Sequence, residues 1–598
     1  MKKNITNIIA AFLLIIMFFI AFFSQLDDSL TMDEKAHIPA GYSYISQQDM
    51  RLNPEHPPLL KDLAGFSALI GSKITNQPIN FPSNLDSWQK QVNGQWDFGN
   101  DFLFNSGNNA DSIILWSRLP MILLGLCLGF FIFKWARQLY GNKAGLLALL
   151  LFCFSSTFLA HTRYVTTDVG AAAAFFIATY YLIKWLKQPA KKNLIIAGIV
   201  YGLAMLTKFS LALLIPYFIF LTIIYSIANA KSDYFKILVK NLLLLFIIGL
   251  ICLMLIWPVY QYHVLNYPAE KQFSDTSYHF KDLNNKPGIG ILTNSITWMS
   301  DKPILRPYAQ YMLGFIMVFR RAAGGNTNFF LGEVSNQAWW NYFPTVYFLK
   351  ESLAFHLLTI IALLYALYKI KQPFRKKLFS RICLWISNHF TEFAIISFLV
   401  LYWTVSIRSN LNIGVRHILP TFPFIYVLIS GQIIAWLKFS KTYFKYLIII
   451  ILLLWYVLAA VLIYPYYLAY FIEYVGGAKN GYKYVTDSNL DWGQDLKRLA
   501  DWVEKNNVSS IYLAYFGGAS PQYYLNGKLK PWAWWQDHKP LDLQQGDFLA
   551  ISATLLQEGR GQAKPGYTGS TDHYKWLDSE PVAVIGYSIF IYQINNIN

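Results

Sequence analysis

The chain has 598 residues, 55% of them hydrophobic and 17% aromatic, with a mean hydropathy of +0.33 and a formal charge of +17. That composition excludes an ordinary soluble globular protein and describes a polytopic membrane protein. The charge is not that of a nucleic-acid binder, because Lys and Arg fall in short clusters between apolar runs, as membrane topology demands.

Lys2 and Lys3 precede the apolar run Ile8–Phe23, which no small-x-small cleavage pattern follows, so an uncleaved first span is expected. Directly after it comes LTMDEKAHIPAGYSYISQQDMRLNPEHPPLLKD, from Leu30 to Asp62, which sets charge, histidine, proline and aromatics against a membrane edge. Asp33 and Glu34 form a carboxylate pair there, and desolvation and neighbours can tune such a pair for acid/base work. His37 follows one helical turn after Asp33. Asn53, Glu55 and His56 precede Pro57 and Pro58, a rigid extended pair that can aim them, although an ordinary solvated loop with a proline turn explains the same residues. The polar stretch 25–112 is too rich in Asn, Gln, Trp and Pro to span a bilayer and is expected to fold on the outer face.

Apolar runs recur at Ile113–Phe133, Leu146–Ala160, Val169–Trp185, Leu194–Leu206, Leu211–Ile227, Leu242–Tyr260, Thr345–Tyr368, Phe393–Val405, Ile418–Trp436 and Tyr446–Tyr464. With the first they predict about eleven spans. Lys134, Arg137 and Lys143, Lys184, Lys187, Lys191 and Lys192, Lys231, Lys236 and Lys240, Arg375, Lys376, Lys377 and Arg381, and Lys438, Lys441 and Lys445 all fall on one side. The positive-inside rule makes that side cytoplasmic, with the N-terminus, and leaves Asp33, the loop 262–343 and everything after Tyr464 outside. The four cysteines, Cys127, Cys153, Cys252 and Cys383, form neither a zinc spacing nor a disulfide framework, and the long outer segments contain none.

HTRYVTTDVG places Arg163 and Asp168 in a short outer turn, where Thr166, Thr167 or Asp168 can also cap the next helix. Lys208, Arg320, Arg321, Arg416 and His417 gather at the same level, offering forks and point charges for phosphate, or else snorkelling to lipid head groups. In WWNYFPTVYFLKES, Lys350 and Glu351 fall about two turns inside the predicted span, where an ionisable residue is a functional candidate. DSNLDWGQD resembles a calcium loop at Asp487, Asn489 and Asp491, but Gly493 comes one place late and Arg498 occupies the closing position, so a helix beginning near Gln494 is the better reading. Residues 465–598 change composition and are expected to form a small outer α/β domain after a membrane domain 1–464, with a helix over Gln494–Lys505 and strands in Ser510–Phe516, Phe548–Ala553 and Val582–Ile594. No GxGxxG, P-loop or HExxH is present.

Taken together, the Asp33-Glu34 pair after the first span, NPEHPPL, Arg163 to Asp168, GVRHILP around Arg416 and DSNLDWGQDL resemble bacterial lipid-carrier-dependent glycosyltransferases of the GT-C superfamily, with the protein O-mannosyltransferases and the lipid A aminoarabinose transferase. The resemblance spans nearly the whole chain. It implies a bacterial inner-membrane enzyme that transfers a sugar, with inversion, from a polyprenyl-phosphate carrier to a hydroxyl of a protein, lipid A or surface glycan on the periplasmic face. Asp33 would act as base on the acceptor, with Glu34 and Asp168 beside it. Arg163, Lys208, Arg320, Arg321, Arg416 and His417 would face the departing prenyl phosphate, whose tail lies among the spans and membrane lipid. A divalent metal is left open by the resemblance. No trefoil-like insertion precedes Trp339, which departs from the eukaryotic mannosyltransferase plan and loosens the expectation of a protein acceptor. A transporter or flippase for a lipid-linked sugar is the rival reading, and it would place its ionisable residues near the midplane. An inactive binding scaffold is the third.

Overall fold

The computed structural model describes residues 3–229, 233–284, 286–370, 378–439, 442–530, 532 and 543–594. Among the basic residues that orient the chain above, Lys2, Lys231, Arg375, Lys376, Lys377 and Lys441 lie outside them. Nine helices among the described residues are long and apolar enough to cross a membrane: 4–24, 110–140, 168–187, 209–229, 234–263, 353–370, 390–407, 415–439 and 443–462. The chain is thus a multi-pass helical membrane protein.

The two runs that make up the difference from eleven fall short for local reasons. Leu146–Ala160 is not one helix: Asn142–Cys153 ends at Phe154, and Ser155 starts a new turn by accepting the Phe158 N–H at 3.3 Å. Lys191–Met205 has 15 residues, about 22 Å at 1.5 Å per residue against a hydrocarbon core of about 30 Å. Side chains such as Phe246, Met254 and Leu454 point outward from the bundle, as a lipid-facing surface requires. The segments 168–187 and 415–439 are the opposite case, each 78% buried. Asp168 and Arg416 sit at the N-terminal ends of these two enclosed segments, so the centre of the bundle fixes their positions.

After the last span the chain forms short turns, the helix Leu496–Lys505 and a five-stranded sheet. Among the described residues the strands are β1 (Asn328–Phe330), β2 (Glu333–Ser335), β3 (Ile511–Ala514), β4 (Leu529–Lys530), β5 (Phe548–Ser552), β6 (Gln562–Ala563), β7 (Ala583–Ile585) and β8 (Ile589–Gln593). The larger sheet has the order β4-β3-β5-β8-β7, with β3 parallel to β4 and β5 and the β5–β8 and β8–β7 pairs antiparallel. The apolar run Val582–Ile594 is therefore a hairpin, because Gly586 and Tyr587 both take positive φ, 57° and 65°, as a tight turn between twisted strands needs. The smaller sheet, β1-β2-β6, pairs a hairpin from the 262–343 loop with the C-terminal region. The C-terminal region is thereby knitted to the 262–343 loop and, through Ser29, to the end of the first span: the Ser29 N–H donates to the Gln494 carbonyl at 2.9 Å and its hydroxyl to the Gly493 carbonyl at 2.8 Å.

Candidate active site

Asp33 is the N-cap of the helix Glu34–Gln47, yet its side chain makes no capping bond. Its carboxylate instead accepts from Arg416 Nη1 at 2.6 Å, and its side chain keeps 23% exposure, so the charge is held without being sealed in. The same Arg416 Nη1 lies 3.4 Å from Asp168 Oδ2, and Asp168 Oδ1 accepts from Lys208 Nζ at 2.6 Å. Asp33, Arg416, Asp168 and Lys208 form a chain of alternating charge across the ends of the central spans. Burial pushes the Asp33 carboxyl up, but the Arg416 guanidinium and then His37 outweigh it and leave the group below the ordinary carboxylate value. Arg416 Nε and His417 Nε2 are buried without a hydrogen-bond partner, so this chain has unused donor capacity.

Two elements aim Arg416. Its guanidinium lies 4.3 Å above the Trp492 ring, a cation–π contact that fixes its plane. The loop carrying it is pinned by Asn489, whose Oδ1 accepts the Val415 N–H at 2.9 Å while its Nδ2 donates to the Tyr342 hydroxyl at 3.0 Å. DSNLDWGQD is thus a latch on the GVRH loop, and the helix after it starts at Leu496. Asp487 faces Arg416 from this latch, and burial pushes it up to about 6 against that positive charge. Among the described residues no group of three or more His, Cys, Asp or Glu is arranged to hold a metal ion.

His37 Nδ1 meets the Val165 carbonyl at 2.8 Å, and its ring stands edge-on to His56 at 5.4 Å. Burial, with the charges of His37, Lys61, Lys208 and Arg321, drives His56 well below its usual value, so it is neutral at pH 7. Arg321 therefore sits within electrostatic reach of the cluster. Arg320 turns away to Asp282 at 3.0 Å, half-exposed. Asn53 and Glu55 hold the loop: the Asn53 N–H donates to Asn93 Oδ1 at 2.8 Å, and Glu55 Oε1 accepts from Asn93 Nδ2 at 2.9 Å and Gln95 Nε2 at 3.0 Å. Lys61, which no motif singles out, is fully buried, and its Nζ donates to the Tyr44 hydroxyl, to the Asn53 and His56 carbonyls and to Asn53 Oδ1 at 2.7–2.9 Å. A lysine on an ordinary-looking helix start gives no sequence signal of that role.

Three expected site residues do other work. Glu34 is fully buried and accepts five donors: Arg118 Nε and Nη2 at 2.8 and 2.7 Å, the Thr31 N–H and hydroxyl at 2.9 Å each, and the Val165 N–H at 2.9 Å. With its lone pairs filled, it braces the helix start and has no oxygen left for a substrate. Arg163 reaches the Ser24 carbonyl at 2.5 Å, the Pro465 carbonyl at 3.2 Å and Asp28 Oδ2 at 3.2 Å, none of them a member of the Arg416 chain. Lys350 is not inside a span: its helix, Tyr342–Lys350, ends there, Glu351 is extended, and the next helix starts at Leu353. Its Nζ donates to the Leu468, Tyr470 and Asn489 carbonyls at 2.8, 2.6 and 2.6 Å, which staples the segment after the last span. Of the two roles open to this turn, the cap does not form at Thr167, the N-cap residue, and the Asp168 carboxylate serves Lys208 and Arg416.

The fold and this arrangement define a polytopic membrane protein with a buried, mixed-charge cluster at one end of its central spans, opposite the basic connections. Residues 106–260, well short of half the chain, match the family of dolichyl-phosphate-mannose-protein mannosyltransferases. That is a family which the motifs resemble, and the matched stretch contains Arg118, Arg163, Asp168 and Lys208. Among solved structures, the chain is similar to the oligosaccharyltransferase of Archaeoglobus fulgidus in its apo form, with 12% identity, TM-score 0.47, and coverage of 88% of this chain and 64% of that one. It is also similar to ArnT from Cupriavidus metallidurans bound to undecaprenyl phosphate, with 11% identity, TM-score 0.32, and coverage of 99% and 98%. A third is the Saccharomyces cerevisiae protein O-mannosyltransferase Pmt1-Pmt2 complex bound to the sugar donor, with 18% identity, TM-score 0.34, and coverage of 48% and 38%. No curated protein matches the chain.

Proposed function

We propose that the protein is an inverting glycosyltransferase that moves a sugar from a polyprenyl-phosphate carrier to an acceptor hydroxyl on the periplasmic face of a bacterial inner membrane. The observation that carries this reading is the Asp33–Arg416–Asp168–Lys208 chain. Lys208 and Arg416 offer positive charge and donors to a carrier phosphate, with the His417 imidazole beside them and Arg321 at the edge of the cluster. A phosphate taken by Arg416 competes for the guanidinium that Asp33 now holds, and so frees the carboxylate. Asp33 then takes the proton of the acceptor hydroxyl as its oxygen bonds to the anomeric carbon, and the bond from that carbon to the phosphate oxygen breaks on the opposite side. The cations meet the negative charge left on the prenyl phosphate. Asp168 orients Arg416 and Lys208.

The family match supports a sugar carried on a lipid phosphate. The placement of the charges supports transfer over transport, since they lie at span ends rather than midway along the helices. The sidedness rests on the positive-inside pattern, which sets residues 465–598 outside. The test is to give the purified, membrane-reconstituted protein labelled polyprenyl-phosphate sugars in the presence of cell-envelope acceptors. Release of free polyprenyl phosphate together with a labelled acceptor supports transfer, and movement of intact donor across the bilayer without cleavage would establish the transporter instead.

A further inference from the structure

A cleft of about 760 Å³ opens in the C-terminal region and shares no residue with the Arg416 chain. Two contacts set its level relative to the bilayer. Tyr587, in the turn between β7 and β8, packs on Tyr466, just past the outer end of the last span, with ring centroids 5.5 Å apart. Glu473 accepts from Trp455 Nε1 at 3.2 Å, about two turns before that span ends. Leu462, Tyr464 and Tyr474 are exposed around these contacts, the rim expected of a chain at head-group level.

Two sets of charged side chains reach the cleft, and β8 separates them. Tyr482 packs on Phe590 with ring centroids 4.7 Å apart, which places the turn bearing Lys479 and Lys483 at that end. Tyr592 follows on the same face of the strand, about 7 Å farther from the hairpin turn. Ala583 is paired with Ile591, and the Val582 N–H donates to the Ile591 carbonyl at 2.8 Å, so the segment carrying Asp578 and Glu580 enters β7 at the Tyr592 end. Arg560 and Lys575 also line the cleft but are committed. Arg560 donates to the Tyr574 carbonyl at 3.0 Å and to the Leu577 carbonyl, and Lys575 pairs with Asp572. Lys479, Lys483, Asp578 and Glu580 are exposed, and none has an ion-pair partner among the described residues. Opposite charges thus line one cleft without meeting, the lysines nearer the membrane and the carboxylates beyond them.

We infer that this cleft holds the head group of a zwitterionic membrane phospholipid with a primary ammonium. In such a lipid the phosphate lies next to the glycerol and the ammonium farther out, on a two-carbon spacer, which is the order that the two charge sets complement. Lys479 and Lys483 meet the phosphate, and Asp578 and Glu580 take the N–H donors of the ammonium, over a floor of Phe590 and Tyr592. A quaternary ammonium has no such donors, and an anionic head group without an amine is repelled by the carboxylates. The site docks the C-terminal region on the bilayer whether or not the protein transfers sugar.

The test is hydrogen exchange of the full-length protein in phosphatidylcholine nanodiscs, alone or doped with phosphatidylethanolamine or phosphatidylglycerol. Phosphatidylethanolamine is expected to slow exchange in segments 478–483 and 575–587 by roughly tenfold, and phosphatidylglycerol to do so much less. Lys479→Ala with Lys483→Ala should remove the protection at unchanged Tm, since both side chains are exposed. Asp578→Asn with Glu580→Gln should remove the phosphatidylethanolamine effect and strengthen that of phosphatidylglycerol, a reversal that basic residues merely reaching for lipid phosphates would not give. Equal exchange in all three nanodiscs, phosphatidylglycerol protecting the parent protein as well as phosphatidylethanolamine does, or the same protection from free phosphoethanolamine in phosphatidylcholine nanodiscs would each overturn the assignment.

Discussion

Two buried networks of charge lie side by side at the end of the bundle, and adjacent residues in the chain belong to different ones. Glu34, Arg118, Asp28, Arg163, Arg498 and Asp495 form the first. Its ion pairs run from 2.5 to 3.2 Å, and nearly every member is about 1% exposed or less, with Arg498 at 11%. Asp33, Arg416, Asp168 and Lys208 form the second, in which one guanidinium nitrogen is shared by two carboxylates and Asp33 and Lys208 keep 23% and 15% exposure. A dry, sealed network fixes the backbone, and one that remains reachable can exchange a protein partner for a ligand. The difference between Asp33 and Glu34 is therefore one of completeness of pairing rather than of residue type.

The largest expected effect lies in the first network. Glu34→Ala leaves the Arg118 guanidinium buried without its carboxylate, a loss of about 3–5 kcal/mol that thermal unfolding in detergent would record as a collapse of the folded protein. A near-normal Tm would show that the two networks are not different in kind. In the second network, Arg416→Lys keeps the charge but gives up the planar fork over Trp492, and one charge-assisted bond is worth about 1.5–3 kcal/mol. Turnover should fall about ten- to a hundredfold with Tm preserved. Unchanged kinetics would make Arg416 a brace like Arg163.

How far the sequence distinguishes these networks is uneven. The spans, the Asp33 neighbourhood, Arg416 and the latch at Asn489 and Trp492 all lie in stretches whose composition or resemblance singles them out. Arg163 and Arg416 look alike as arginines at span ends, and only the tertiary partner separates them: Asp28, in an unremarkable acidic stretch, claims Arg163. Lys350 misleads because no Gly or Pro marks the break at Glu351, so the apolar pattern runs on as if one helix did. Likewise, the Gly586–Tyr587 turn sits inside a continuous apolar run that reads as one strand.

The smallest effect has the opposite sign. Asp491 Oδ1 is buried without a partner, while Oδ2 accepts the Thr554 N–H at 2.9 Å, and burial pushes the group up to about 8 from its ordinary 3.8. A carboxyl raised on folding contributes its full stability below pH 4, where both states are protonated, and that contribution declines as pH rises toward 8. Asp491→Asn should flatten this slope and raise Tm modestly at pH 7–8. A slope as steep as in the parent protein would place the titration elsewhere.

The division between the two networks is tested most directly by Asp33→Asn, in which the amide keeps the shape and a hydrogen-bond acceptor for Arg416 but cannot take a proton from an attacking hydroxyl. Donor binding and single-turnover transfer of labelled polyprenyl-phosphate sugar are measured separately on the purified variant. The account predicts near-normal Tm and donor binding with transfer lowered about 10²–10⁴-fold; transfer at the parent rate would contradict it.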